Sequence, residues 1–205
     1  MAYSFQESAI SSSLFTKDCL KEKKEYLVKA VFDGDTILIR IGETAMGRPT
    51  ELGEPRPKGA GRDSKKEFKI RLLGIDAFEH DQYPYGPKGK DFLTMLVLNK
   101  KVCVETDVQE NDVYNRTLGY VFLDKALVNE GLVKNGLALL YDFPPNIKYI
   151  DKLKKAQIFA RQNKLGVWEK HSYIKETPAQ WRHKHPFKKE KTNLDTLHAR
   201  FHKSF

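Results

Sequence analysis

The chain has 205 residues and a formal net charge of +9, and 40% of its residues are hydrophobic. This length is typical of one domain with tails. No run of residues approaches the roughly 20 apolar positions that a transmembrane helix needs, so we expect no membrane partner. The positive charge favours an acidic partner, and nucleic acid is the leading candidate.

The two cysteines, Cys19 and Cys103, are too few for a disulfide framework. Cys103 stands between two valines, so we expect it to be a small buried hydrophobe. Residues 1–17 lack the basic and continuous apolar regions of a secretory signal. A cytoplasmic location is therefore expected, with a secreted or periplasmic location left open.

Composition divides the chain into three regions, and no internal repeat is present. Residues 1–23 are predicted to be a flexible leader, 24–170 a folded domain, and 171–205 a flexible, basic, histidine-rich extension. The extension has eight Lys and Arg residues against three acids, so it should add nonspecific attraction for phosphate. Trp181 in the extension either docks on the domain or stacks on a base, and the sequence does not decide between them.

The first strands follow from alternating apolar residues and a turn signal. Residues 26–32 and 37–40 flank the sequence Asp-Gly-Asp at 33–35, which is typical of a hairpin turn. Residues 68–73 alternate as a half-buried strand. Between these strands, residues 42–66 are rich in glycine, proline and charge, and we interpret them as a long inserted hairpin loop.

The second half of the domain adds two strands and three helices. Strands are predicted at 102–106 and 117–123, and helices at 87–99, 125–135 and 147–163. The first helix should pack through Phe92, Met95 and Leu96, and the third through Tyr149, Leu153, Ala156 and Ala160. The order β-β-β-α-β-β-α-α predicts an α+β, mainly β protein, a five-stranded Greek-key barrel of the OB type with three helices.

Charged residues recur at four separated points of this predicted barrel. The acids are Asp33, Asp35, Asp76 and Glu79, and the cations are Arg71 and Arg116. Carboxylates bind hard cations such as Ca²⁺, and guanidinium groups match phosphate oxygens. Each residue alone is an ordinary turn acid or surface arginine, but the ordered set favours metal-assisted cleavage of a phosphodiester.

Five blocks of the chain resemble, in order, the conserved segments of the staphylococcal nuclease (thermonuclease) family. They are residues 33–36, 70–79, 114–121, 127–138 and 165–168. The resemblance runs through roughly residues 25–170 and implies the same OB barrel. One departure is Asn115, which stands where the family often has glycine before the second arginine; asparagine still tolerates a left-handed turn.

The resemblance assigns roles to the residues. It implies that Asp35 and Asp76, with the backbone carbonyl of Ala77, bind Ca²⁺, and that Glu79 orients or deprotonates the attacking water. It implies that Arg71 and Arg116 contact the phosphate. Substrate-binding aromatic residues are expected at Tyr114, Tyr141 and Phe143, of which the last two would stack on bases.

The function that follows is a calcium-dependent, sugar-nonspecific nuclease. It would cut DNA and RNA, preferably single-stranded or frayed, to products with 3′-phosphate ends, and act as a monomer. Two alternatives are a catalytically inactive OB-fold module that binds nucleic acid or protein, and a basic nucleic-acid-binding structural protein with a vestigial site.

Overall fold

The computed structural model describes residues 19–22, 24–41, 67–172 and 175–186. The predicted inserted loop at 42–66 lies outside the described residues. The same holds for most of the predicted leader and for the extension beyond residue 186.

A closed barrel of five strands forms the body of the protein. The strands are β1 (Tyr26–Asp33), β2 (Thr36–Arg40), β3 (Glu67–Leu72), β5 (Lys101–Glu105) and β6 (Thr117–Leu123). The pairs β1–β2, β2–β3, β1–β5 and β5–β6 are antiparallel, and the parallel pair β3–β6 closes the barrel. This confirms the predicted α+β fold with an OB-like barrel, and each strand begins and ends within one residue of its predicted bounds.

Three shorter strands were not predicted. They are β4 (Ile75–Ala77), β7 (Ala126–Leu127) and β8 (Ala138–Leu140). β4 and β8 form a separate antiparallel ribbon in which Asp76 pairs with Leu139. Strands of two or three residues are too short to show the alternation on which sequence prediction depends. The β4–β8 ribbon nevertheless fixes the position of Asp76.

The helices are α1 (Cys19–Glu22), α2 (Tyr85–Val97), α3 (Val128–Lys134), α4 (Ile150–Gln162) and α5 (Pro178–Lys184). The three predicted helices correspond to α2, α3 and α4. The other two lie in segments for which no helix was predicted. The expectation of a flexible extension therefore does not hold for residues 178–184, which form a capped helix.

The packing face of α4 is confirmed, because Leu153, Ala156 and Ala160 are buried. The face predicted for α2 is wrong at Met95, which is 68% exposed. Glycines lie on the buried side of α2 instead: a Cβ atom at Gly89 would come within 3.2 Å of the Leu137 carbonyl oxygen. Phe92 and Leu96 do pack against the core, while Leu93 and Val97, which the pattern did not indicate, are fully buried.

Asn129 on α3 ties three parts of the fold together from a fully buried position, with 0% exposure. Its Oδ1 accepts a hydrogen bond from the Val121 N–H at 3.0 Å, and its Nδ2 donates to the Leu73 carbonyl at 2.8 Å. Strand β6 and the turn that leads into β4 are thus joined through one amide.

Cys103 on β5 is buried, as expected, but it is disulfide-bonded. The expectation that it acts only as a small hydrophobe is therefore wrong. The chain has one other cysteine, Cys19. A disulfide needs its two Cα atoms within about 7 Å of each other, a distance that only the fold sets, so this bond was not predictable.

None of the helices in the described part of the chain combines the length and apolar character needed to cross a bilayer.

Candidate active site

A cavity of about 630 Å³ opens where the β1–β2 turn, the β3–β4 turn and the ends of β6 and β8 meet. Every site residue that the sequence predicted lines this cavity. They are Asp35, Arg71, Asp76, Ala77, Glu79, Tyr114, Arg116, Tyr141 and Phe143. Asp33, Asp112 and Arg182 also line it. The fold thus gathers groups as far apart in the chain as Asp33 and Arg182.

The two buried acids Asp35 and Asp76 meet at one guanidinium nitrogen. Nη2 of Arg71 lies 3.0 Å from Oδ2 of Asp35 and 3.2 Å from Oδ1 of Asp76. Two carboxylates brought this close repel each other unless a cation lies between them. In this structure Arg71 supplies part of that positive charge.

Arg71 is also fixed by the backbone. Its Nη1 donates to the carbonyl oxygens of Leu72 at 2.7 Å and Ile75 at 2.9 Å. The turn between β3 and β4 therefore wraps around the guanidinium, which leaves its side chain little freedom. These bonds fix the positive charge of Arg71 beside the two acids.

Asp35 is held by the strand that carries its partner acid. Its Oδ2 accepts the Ala77 N–H at 3.0 Å, and its Oδ1 accepts the Thr36 hydroxyl at 3.0 Å. The neighbouring Gly34 makes this approach possible, because a Cβ atom there would lie 2.8 Å from Cβ of Ala77.

Asp33 lies behind Asp35 and bonds to its backbone, accepting the Asp35 N–H at 3.0 Å. Burial and the negative charge of Asp35 raise the pKa of Asp33 to about 6. Burial is the larger of the two causes, because it disfavours the charged carboxylate, and the Asp35 carboxylate adds to it.

Glu79 stands at the rim on a short loop after β4. Its backbone N–H donates to Oε1 of the buried Gln82 at 2.9 Å, and its carbonyl oxygen accepts the Gln82 N–H at 2.9 Å. Gly86 packs against this loop so closely that a Cβ atom would lie 1.9 Å from the Glu79 carbonyl oxygen. The loop is therefore held on two sides, and the backbone that carries the Glu79 side chain is fixed in place.

Arg116 is positioned by Asp112, a residue that the sequence analysis missed. Oδ2 of Asp112 accepts Nε of Arg116 at 2.7 Å, and Oδ1 accepts the backbone N–H groups of Tyr114 and Arg116 at 2.9 Å each. Asn115 in this turn has φ 59°, so it adopts the left-handed conformation that its position required. An aspartate four residues before the arginine was the available signal.

Tyr141 and Phe143 follow β8 and line the cavity next to each other. Their ring centroids lie 6.0 Å apart with an interplanar angle of 19°. Tyr141 is 44% exposed, so part of its side chain is accessible to a ligand. Tyr114 belongs to the turn that carries Arg116, whose guanidinium carbon lies 5.6 Å from the centroid of the Tyr114 ring.

Arg182 belongs to the site, although no sequence pattern indicated it. It lies on α5, and its guanidinium donates to both oxygens of Asp76 and to Oε1 of Glu79. Burial by itself would lower the pKa of Arg182, but the hydrogen bonds to Asp76 and Glu79 raise it above its ordinary value.

The acids of this cavity fit a hard divalent cation. Among the described residues, no group of three or more His, Cys, Asp or Glu side chains is arranged to hold a metal ion. A cation held here would take two carboxylates, from Asp35 and Asp76, and a backbone carbonyl such as that of Ala77 and water would have to supply the rest. Ca²⁺ accepts such mixed oxygen ligands, whereas Zn²⁺ prefers nitrogen and sulfur.

Comparison with known proteins places the chain among nucleases. The family model for staphylococcal nuclease homologues matches residues 69–170. Thermonuclease from Staphylococcus hyicus is 34% identical over 151 residues, which cover 71% of this chain and 76% of that protein. Thermonuclease from Staphylococcus intermedius is 34% identical over 152 residues, or 72% and 77% of the two chains. Endonuclease YncB from Bacillus subtilis is 38% identical over 116 residues, or 53% and 55%.

Proposed function

The chain belongs to the staphylococcal nuclease family and is a nuclease, and from that premise we propose that it depends on calcium. We propose further that it hydrolyses DNA and RNA without regard to the sugar and leaves 3′-phosphate ends. The observation that carries the proposal is the meeting of Asp35 and Asp76 at one nitrogen of Arg71, within the cavity that Glu79 and Arg116 also line.

The carboxylates of Asp35 and Asp76, with the carbonyl of Ala77, would hold the ion. When bound, Ca²⁺ supplies positive charge that polarises a phosphoryl oxygen and lowers the pKa of water. Because a phosphodiester anion repels hydroxide, this charge must be in place before attack. The buried position of both acids excludes bulk water and strengthens their interaction with a cation.

The remaining groups act on the substrate directly. The Glu79 carboxylate orients the attacking water and accepts its proton. Arg71 and Arg116 donate to the phosphate oxygens and offset the charge that develops there. Asp112 holds Nε of Arg116, which lines the cavity, so the two outer nitrogens of that guanidinium would be the ones to contact a phosphate.

The proposed products follow from which bond breaks. Water attacks phosphorus, the bond from phosphorus to the 5′ oxygen breaks, and that oxygen leaves as a hydroxyl beside Arg116. The phosphate then stays on the 3′ oxygen. End-group analysis should find 3′-phosphate and 5′-hydroxyl termini; 5′-phosphate termini would contradict this direction of cleavage.

Calcium removal is expected to abolish cutting of both single-stranded DNA and RNA. The measurement is digestion in CaCl₂ and in excess chelator, with calcium then restored to the chelated sample. Activity should return on restoration. Undiminished cutting in chelator would rule out the calcium role, and binding without cutting in calcium would favour an inactive binding module.

We also propose that Tyr141 and Phe143 stack on bases, which favours single-stranded or frayed substrate because paired bases have no free faces. Stacking is worth about 1–3 kcal/mol per base. Tyr141→Ala is therefore expected to raise KM for single-stranded DNA by about tenfold with a smaller change in kcat. Phe159→Ala is a matched control, since Phe159 is 42% exposed on α4. An unchanged KM for Tyr141→Ala would remove this residue from substrate binding.

The disulfide at Cys103 bears on location. Disulfides persist in oxidising compartments and are rare in the cytosol, and calcium is also more available outside the cell. We therefore favour the secreted or periplasmic alternative over the cytoplasmic one, and retain the proposal of a monomer. Thiol titration of protein isolated without reductant should find no reactive thiol; two reactive thiols would favour the cytoplasm.

A further inference from the structure

The C-terminal helix α5 docks at the rim of the active site. Thr177 caps the helix: its hydroxyl accepts the Gln180 N–H at 3.2 Å, and the Gln180 side chain accepts the Thr177 N–H at 2.8 Å. The buried Pro178 begins the helix. Just before it, the carbonyl oxygen of Glu176 accepts Nε2 of Gln82 at 3.2 Å. Gln82 thus links the C-terminal segment to the loop that carries Glu79.

With α5 in this position, the guanidinium of Arg182 contacts both Asp76, the proposed metal ligand, and Glu79, the proposed general base. Nη1 of Arg182 lies 2.7 Å from Oε1 of Glu79 and 3.1 Å from Oδ1 of Asp76. Nη2 lies 2.9 Å from Oδ2 of Asp76. Both oxygens of Asp76 are therefore engaged by Arg182, in the bidentate geometry that makes arginine–carboxylate pairs strong.

The charges around the cavity disfavour binding of Arg182 and of a divalent cation to Asp76 at the same time. Asp35, Asp76 and Glu79 bring three negative charges at neutral pH, and Arg71 and Arg182 bring two positive ones. A divalent cation bound to Asp76 would place two more positive charges beside Arg182. Like charges at such distances repel strongly in a partly buried site, and both oxygens of Asp76 are already engaged by Arg182.

We propose that Arg182 is an internal counter-cation of the metal site, which occupies Asp76 and Glu79 in the metal-free protein and is displaced when a divalent cation binds. This inference rests on the proposed calcium site. Displacement frees Glu79 for catalysis and loosens α5 from the rim. The C-terminal segment thus sets the calcium concentration at which the enzyme becomes active.

Calcium affinity is the first test, measured by titration calorimetry on full-length protein. Arg182→Gln removes the competitor and is expected to bind Ca²⁺ on the order of tenfold more tightly than wild type, because charge-assisted hydrogen bonds no longer have to be broken. Lys155→Gln removes the same charge from an exposed position on α4 and should leave the affinity unchanged. Arg182→Lys keeps the charge but loses the planar fork, so it should also bind calcium more tightly than wild type.

Tryptophan fluorescence is the second test. Trp181 precedes Arg182 and stacks on His185, with ring centroids 4.0 Å apart. Calcium titration of wild type should change the emission as α5 moves, and Trp181→Phe, which leaves Trp168 as the other tryptophan, should abolish the change.

The two proposals fail in different ways. Equal calcium affinity of wild type and Arg182→Gln, with Trp181 emission unaffected by calcium, would overturn the role of Arg182 and leave the calcium site intact. Absence of calcium binding to every variant would overturn both the calcium site and the inference built on it.

Discussion

Replacing Glu79 with glutamine is expected to lower turnover by on the order of 10²–10⁴-fold, the usual contribution of a positioned general base. Glutamine keeps the size and hydrogen-bonding shape of the side chain but does not accept a proton from water. The loop should stay in place, because it is held by the Gln82 side chain through the backbone N–H of residue 79. The measurement is single-turnover cleavage of a short DNA at saturating calcium.

Glu130→Gln is the matched control for this variant. Its side chain is 29% exposed and ion-paired with Lys152 at 3.0 Å, whereas that of Glu79 is 26% exposed and ion-paired with Arg182 at 2.7 Å. Any general effect of losing a paired, partly exposed carboxylate should therefore be the same in both variants. Only Glu79→Gln should also slow cleavage. If Glu79→Gln cleaved at the wild-type rate, Glu79 would have no part in proton transfer.

Asn129→Ala is expected to cost about 3–5 kcal/mol of unfolding free energy. It leaves the Val121 N–H and the Leu73 carbonyl buried without their partner, and each such group costs about 1–3 kcal/mol. A small cavity adds to this cost. Because a domain of this kind is stable by only about 5–15 kcal/mol, the loss should be plain in urea unfolding, as a lower midpoint.

Asn163→Ala provides the comparison for Asn129. Asn163 is exposed at the end of α4, and its Nδ2 donates to the Phe159 carbonyl at 2.9 Å. Water can replace that bond, so its removal should cost under about 1 kcal/mol. Similar midpoints for the two variants would mean that the buried amide of Asn129 does not join β6 to the β4 turn in the way described.

The long strands were predictable because each one carries its own signal. Residues 117–123 place Leu118, Tyr120 and Phe122 at every second position, and the hairpin at 33–35 has a turn sequence between two apolar runs. The β4–β8 ribbon carries no such signal. Its two three-residue strands pair with each other although they lie far apart in the chain. They therefore depend on tertiary structure. The disulfide at Cys103 belongs to the same class.

The candidate site likewise contains residues with a local sequence signal and one residue without such a signal. Asp35, Asp76, Glu79 and Arg116 stand in short motifs that resemble a known family, and the structure brings them to one cavity. Arg182 meets Asp76 across 106 positions of the chain. Nothing local distinguishes it from the other basic residues of the extension, so only the docking of α5 reveals it.

The β4–β8 ribbon has a consequence for how the enzyme can evolve. Asp76 pairs with Leu139 on it, and the Tyr141 N–H just beyond donates to the Gly74 carbonyl at 2.9 Å. The carboxylate of Asp76, which would bind the cation, and the ring of Tyr141, which would stack on a base, are therefore both positioned by the β4–β8 ribbon. A substitution that moves this ribbon would shift both groups at once. Changes in base selectivity and in metal affinity would therefore arise together.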